Sequence, residues 1–182
     1  MTTDIIDGWW TKARQLPSSN QNARPGNSEI SLLVIHNISL PPNEFGGEYI
    51  EQFFCNKLPV NAHPYFSTIA NLQVSAHCLI KRDGSVIQFV PFLARAWHAG
   101  RSSFRGKSEC NDFSIGIELE GSDTIAYTDA QYSALAELAK QLMVDYPAIN
   151  RSRIVGHEDI APGRKTDPGE AFDWDKFQSM IE

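Results

Sequence analysis

The sequence predicts a single-domain α/β fold in which a central mixed β-sheet is flanked by helices. Three features carry that expectation. "SLLVIHNI" (31–38) is a continuous apolar run of strand length, as in strands buried on both faces. "FSIGIELEG" (113–121) alternates, with Ile115, Ile117 and Leu119 on one face and Ser114, Gly116, Glu118 and Glu120 on the other. "TDAQYSALAELAKQLMVDYP" (128–147) repeats apolar residues at helical spacing. At 182 residues the chain fits one domain, taken as 1–182 with its core from about 28 to 181.

Taken in order, residues 4–15 mix acidic, apolar and aromatic side chains and read as a short surface helix. Residues 17–27, rich in Ser, Asn and Pro, form a loop. After the 31–38 strand, a helix over 47–56 would bury Tyr49, Ile50, Phe53 and Phe54. "VSAHCLIKRDGSVIQFV" (74–90) is a hairpin, with Asp83-Gly84 supplying the positive-φ positions of a tight turn. Thr128 and Gln131 make a capping box for the long helix, and Pro147 stops it. Ile154-Val155 forms the inner part of a short strand. "VGHEDIAPGRKTDPG" (155–169) leaves it as a stiffened loop, because Pro162 and Pro168 oppose regular helix. Asp173 caps a last helix with Trp174, Phe177 and Ile181 turned inward.

The formal net charge of −6 argues against a nucleic-acid partner, since phosphate neutralisation needs clustered Lys and Arg. No window approaches the ~18 apolar residues of a membrane span, and the first residues lack the pattern of a signal peptide. Cys55, Cys78 and Cys110 are odd in number and lack redox or metal spacing, which fits buried, reduced thiols. A cytoplasmic protein without an obligate protein partner or membrane attachment is expected.

His36 ends an otherwise apolar strand, and His157 stands at the end of another. Each has an ordinary reading as a hydrogen-bonded structural histidine. Together with Asp167 they would instead form a two-histidine, one-carboxylate set that suits Zn²⁺ with a fourth position open. Asp167 also reads as a turn residue before Pro168. Lys165 is either a solvated lysine or a cation facing a developing oxyanion. Glu118 is unusual in a strand, with Gly116 leaving space on the same face; it reads as a solvated residue or as a general base. Glu120, one step further, reads as solvated. His77 is expected as an outer partner of a metal ligand or a substrate contact. His63 and His98 read as cavity wall or simple packing. Trp97, before "HAG", reads as a sugar-ring platform or as core.

These residues fall in six blocks: "LLVIHNISLPP", "NAHPYF", "VSAHCLIKRDGSVIQFVPF", "RAWHAG", "CNDFSIGIELEG" and "GHEDIAPGRKTDPG". In that order they resemble the 1,6-anhydro-N-acetylmuramoyl-L-alanine amidases of bacterial peptidoglycan recycling. More distantly they resemble phage amidases and peptidoglycan-recognition proteins. The resemblance implies one zinc per chain on His36, His157 and Asp167, with Glu118 and Lys165 catalytic. It puts Asn37, Trp97, Ala161 and Arg164 near the muramoyl group and peptide of an anhydromuropeptide. The implied reaction is hydrolysis of the amide between the lactyl group and L-alanine. Gln73 and Glu109 stand where relatives carry arginines toward the stem-peptide carboxylates, leaving Arg101, Arg105 and Lys107 to substitute. A periplasmic amidase acting on intact wall and a non-catalytic muropeptide-binding module are the alternatives.

Overall fold

The computed structural model describes residues 3–26 and 28–182. Its first strands are β1 (Ile5–Ile6), β2 (Trp9–Trp10), β3 (Arg14–Gln15), β4 (Gln21–Ala23) and β5 (Leu32–Ile38). Two short helices, α1 (Tyr49–Phe54) and α2 (Phe66–Ile69), precede β6 (Cys78–Ile80), β7 (Val86–Gln88) and β8 (Ala94–Ala96). Then come β9 (Ser103–Phe104), β10 (Lys107–Ser108), β11 (Ser114–Glu120), α3 (Asp129–Asp145), β12 (Ile154–Gly156), α4 (His157–Ile160) and α5 (Trp174–Met180).

Six strands form the central sheet in the order β12-β5-β11-β6-β7-β3. The run from β12 to β6 is parallel, β6 and β7 are antiparallel, and β3 runs parallel to β7. The expected mixed sheet is therefore present. One face packs under α3 and α5: Leu33, Ile35, Ile115, Ile117 and Leu119 meet Leu135, Leu138, Leu142 and Phe177. Fully burying such an aliphatic side chain contributes roughly 1.5–3 kcal/mol. On the other face a second apolar cluster packs Phe53, Phe54 and Phe66 on Leu79 and Phe89.

The capping box of α3 is present: Thr128 Oγ1 accepts from Gln131 N, and Gln131 Oε1 accepts from Thr128 N, both at 3.1 Å. Asp173 caps α5 through Lys176 N.

Five local expectations change. The 17–27 segment is not loop throughout, because Gln21–Ala23 form β4 and pair antiparallel with β8. Residues 4–15 are not a helix. Asp7 and Gly8 have φ of 52° and 81°, the two positive values of a type I′ turn, and they fold β1 onto β2. Ile5 and Trp10 join the main core, so burial reaches well before residue 28. At Asp83-Gly84 only Gly84 has positive φ. Gly84 N donates to Lys81 O and Lys81 N to Ser85 O, which makes a three-residue loop with its glycine in the left-handed position.

Glu120 is not solvated: it is buried, and its oxygens accept from Gly46 N at 2.6 Å and Arg82 N at 3.1 Å. Finally, the stretch after β12 begins with one helical turn, α4, because Pro162 interferes only beyond it.

Candidate metal centre and active site

Parallel register builds the site. Gly156 pairs with Ile35 and Glu118 with His36, so His157, His36 and Glu118 stand side by side at the carboxyl ends of β12, β5 and β11. That is where open α/β sheets bind ligands. Beyond α4, Ala161 O accepts from both Arg164 N and Lys165 N, turning the chain back. Glu158 N then donates to Asp167 O at 3.0 Å, which holds Asp167 under the two histidines.

The three predicted ligands converge. His36 Nδ1 lies 2.9 Å from His157 Nδ1 and 3.0 Å from Asp167 Oδ2, and His157 Nδ1 lies 3.1 Å from the same oxygen. Ligand atoms around a tetrahedral zinc are spaced by about 3.3 Å, so the triangle fits. Its protonation fits as well. His157 Nε2 faces the carbonyl of Ala99 at 3.0 Å, and a carbonyl only accepts. The neutral ring therefore carries its proton on Nε2 and turns the Nδ1 lone pair to the centre. Burial pushes His36 down to about 4, keeping it neutral at pH 7. Two imidazole nitrogens and a carboxylate oxygen at this spacing make a ligand set of the kind that binds a divalent metal. The three can hold a metal ion.

A cleft of about 650 Å³ opens over them. Glu118 lines it, and its Oε2 is buried with no hydrogen-bond partner among the described residues. Burial raises the Glu118 carboxyl well above the carboxylate range; Asp167 adds to this and Lys165 opposes it. Such an oxygen is ready to take a proton. Lys165 and Arg164 are exposed on the same lining, with Arg164 donating to Ala99 O and Arg101 O at 2.7 Å.

Trp97 lines the cleft with its indole N–H donated to Asn22 Oδ1 at 2.8 Å. Asn37 also lines it, but both its amide hydrogens are taken, by Asp123 Oδ1 and Pro168 O, so it braces the ligand loop.

Other predicted residues lie elsewhere. His77 is buried away from the cleft lining: Gly116 N donates to its Nδ1, and its Nε2 faces Ala94 O. It joins strands rather than touching a ligand. Ala161 is buried and shapes the 161–165 turn instead of lining the cleft. His63 packs on Phe66, whereas His98 lines the cleft.

Nor do the three proposed substitutes for the stem-facing arginines reach it. Arg105 donates to Ser152 O, Lys107 sits over Phe113, and Arg101 is exposed outside the lining. Glu109 faces Arg95 at 3.9 Å. Among the described residues the cations lining the cleft are Arg164 and Lys165. Leu40, Phe53, Tyr65, Ile69 and Leu72 give the same cleft an apolar part of its lining. Tyr65 and Leu72 escaped the sequence reading; their exposure on an apolar wall is visible only in the fold.

Residues 26–170 match the sequence profile of the N-acetylmuramoyl-L-alanine amidases. The chain belongs to that family. The amidase is 57% identical to the 1,6-anhydro-N-acetylmuramyl-L-alanine amidase AmpD of Citrobacter freundii, over 97% of this chain and 94% of that one. It is 56% identical to the AmpD of Escherichia coli K12, over 97% and 96%. A crystal structure of selenomethionine AmpD superposes with a TM-score of 0.95 at 56% identity, covering 98% of this chain and 99% of that one. The amidase AmiD of E. coli, solved with anhydro-N-acetylmuramic acid-L-Ala-D-γ-Glu-L-Lys, gives 0.61 at 30% identity, over 87% and 61%. No helix of the amidase among the described residues is long and apolar enough to cross a membrane.

Proposed function

We infer that this amidase cleaves the amide between the lactyl carbonyl of 1,6-anhydro-N-acetylmuramic acid and the L-alanine of its peptide, in peptidoglycan recycling. One observation carries the chemistry: an unpaired, buried carboxylate oxygen of Glu118 beside three converging ligand atoms in an open cleft. Similarity to the AmpD enzymes over nearly the whole chain supports the anhydro substrate. The three cysteines are free, which fits a reducing, cytoplasmic setting.

His36, His157 and Asp167 would hold one Zn²⁺, leaving a fourth position toward the cleft. When bound, zinc supplies Lewis acidity that polarises the carbonyl and acidifies the attacking water. Glu118 takes that water's proton on Oε2 and delivers it to the departing alanine nitrogen. The Lys165 ammonium faces the oxygen that gains charge as the carbonyl becomes tetrahedral. Trp97 and the apolar wall cover the sugar, while Arg164 and Lys165 supply the positive charge for the stem's carboxylates.

The test compares purified anhydromuropeptide with intact sacculi, following release of the alanine amino group with and without a zinc chelator. Fast, chelator-sensitive release from anhydromuropeptide and little from sacculi is expected. Equal rates on both would place the enzyme on the wall instead.

A further inference from the structure

The two imidazoles share an outer support that comes from a single dipeptide. His36 Nε2 faces His98 Nδ1 at 2.9 Å, and His157 Nε2 faces the carbonyl of the next residue, Ala99, at 3.0 Å. Residues 98 and 99 are themselves pinned. Both of their backbone N–H groups donate to Asn111 Oδ1, at 3.1 and 2.8 Å, and Asn111 is buried. The far edge of the His98 ring meets Ser114 Oγ at 3.1 Å. Its face lies against Gly116, where an added Cβ would overlap the ring. The space that glycine leaves on the β11 face is therefore filled by this one imidazole.

We propose that His98 is a positioning residue: it accepts the Nε2 proton of His36 and thereby keeps the Nδ1 lone pair of His36 turned to the metal. The reasoning is one of tautomers. A metal ion can bind His36 at Nδ1 only if that nitrogen carries no proton. The neutral ring must then carry its proton on Nε2, and a buried N–H without an acceptor costs free energy. Among the described residues, His98 Nδ1 is the acceptor placed to take it. The reverse arrangement, with His98 as donor, would put a proton on His36 Nδ1 between the three ligand atoms. Ala99 O enforces the same choice on His157, so the 98–99 segment sets both rings at once. Partners of this kind typically change metal affinity by 10–100-fold.

This inference rests on the metal reading above, and its test separates the two. Zinc affinity is measured by competition with a chromophoric chelator for the parent, His98→Leu, His98→Asn and Gly116→Ala, each checked for folding by circular dichroism. Asparagine keeps an acceptor oxygen near the Nδ1 position; leucine does not. His98→Leu should bind zinc about 10–100-fold more weakly, and His98→Asn should stay close to the parent. Gly116→Ala, which displaces the ring without altering it, should weaken binding as well. If the parent binds one zinc and His98→Leu binds it equally tightly, the positioning role is wrong while the metal reading stands. Equal losses in His98→Leu and His98→Asn would likewise overturn it, by showing packing rather than an acceptor. A parent that binds no zinc would overturn both readings.

Discussion

The two faces of the central sheet use the same strands for different ends. Under α3 and α5, strands β5 and β11 present Leu33, Ile35, Ile115, Ile117 and Leu119, all buried against Leu135, Leu138 and Leu142. One residue along each strand, the opposite face carries His36, Ser114, Gly116, Glu118 and Glu120. The first face gains free energy by removing apolar area from water. The second gives some back, because it buries a histidine, the Glu120 carboxylate and one Glu118 oxygen that lacks a partner among the described residues. A sheet can carry a polar constellation on one side when the other side is uniformly packed.

That contrast can be broken from either side. His157→Ala removes a ligand without touching the α3 face; it should lose bound zinc and reduce turnover to background while the fold persists. Metal analysis and circular dichroism on the same sample check this. Glu118→Gln keeps the shape and the ligands, so zinc stoichiometry should hold while kcat falls on the order of 10²–10⁴-fold. Lys165→Met should lower kcat by roughly 10²–10³, the range for losing one donor to a developing oxyanion. Steady-state kinetics read both.

Leu135→Ala attacks the other face. It should cost about 2–5 kcal/mol in urea unfolding, yet leave the folded protein binding zinc normally. A change in zinc affinity there would show that the faces are mechanically coupled.

The smallest effect belongs to the α3 N-terminus. Lys176 holds the Asp129 carboxyl below the usual carboxylate range through a 2.5 Å contact. A depressed carboxyl stabilises the fold above its unfolded pKa, and that stabilisation is lost as the pH falls through its folded value. Asp129→Asn should therefore lower Tm slightly at neutral pH, with the difference from the parent vanishing in acid.

Much of this was legible locally. The apolar run at 31–38, the alternation at 113–121 and the capped helix at 128–145 each follow from neighbouring residues, because strand and helix periods are short-range properties. The two Asp-Gly pairs show the limit. At 83–84 the residue types mark a turn, but not its loop length. At 7–8 the hairpin is invisible to pattern, because flanking strands of two residues carry no periodicity. The burial of Glu120 is not legible locally, because its partners, Gly46 and Arg82, lie on loops remote in sequence.

By itself, the sequence determined the main strands at 31–38 and 113–121, the long helix, the one-domain α/β class and the inventory of reactive side chains, including every residue of the candidate metal triad. Only the tertiary structure decided that His36 and His157, 121 positions apart, face each other at 2.9 Å. It also decided that His98 and Ala99 stand behind them while His77 does not line the cleft. The physical reason is that local pattern sets which way a side chain points along its own strand. Which strands lie side by side, and in what register, is set by burial of the whole sheet.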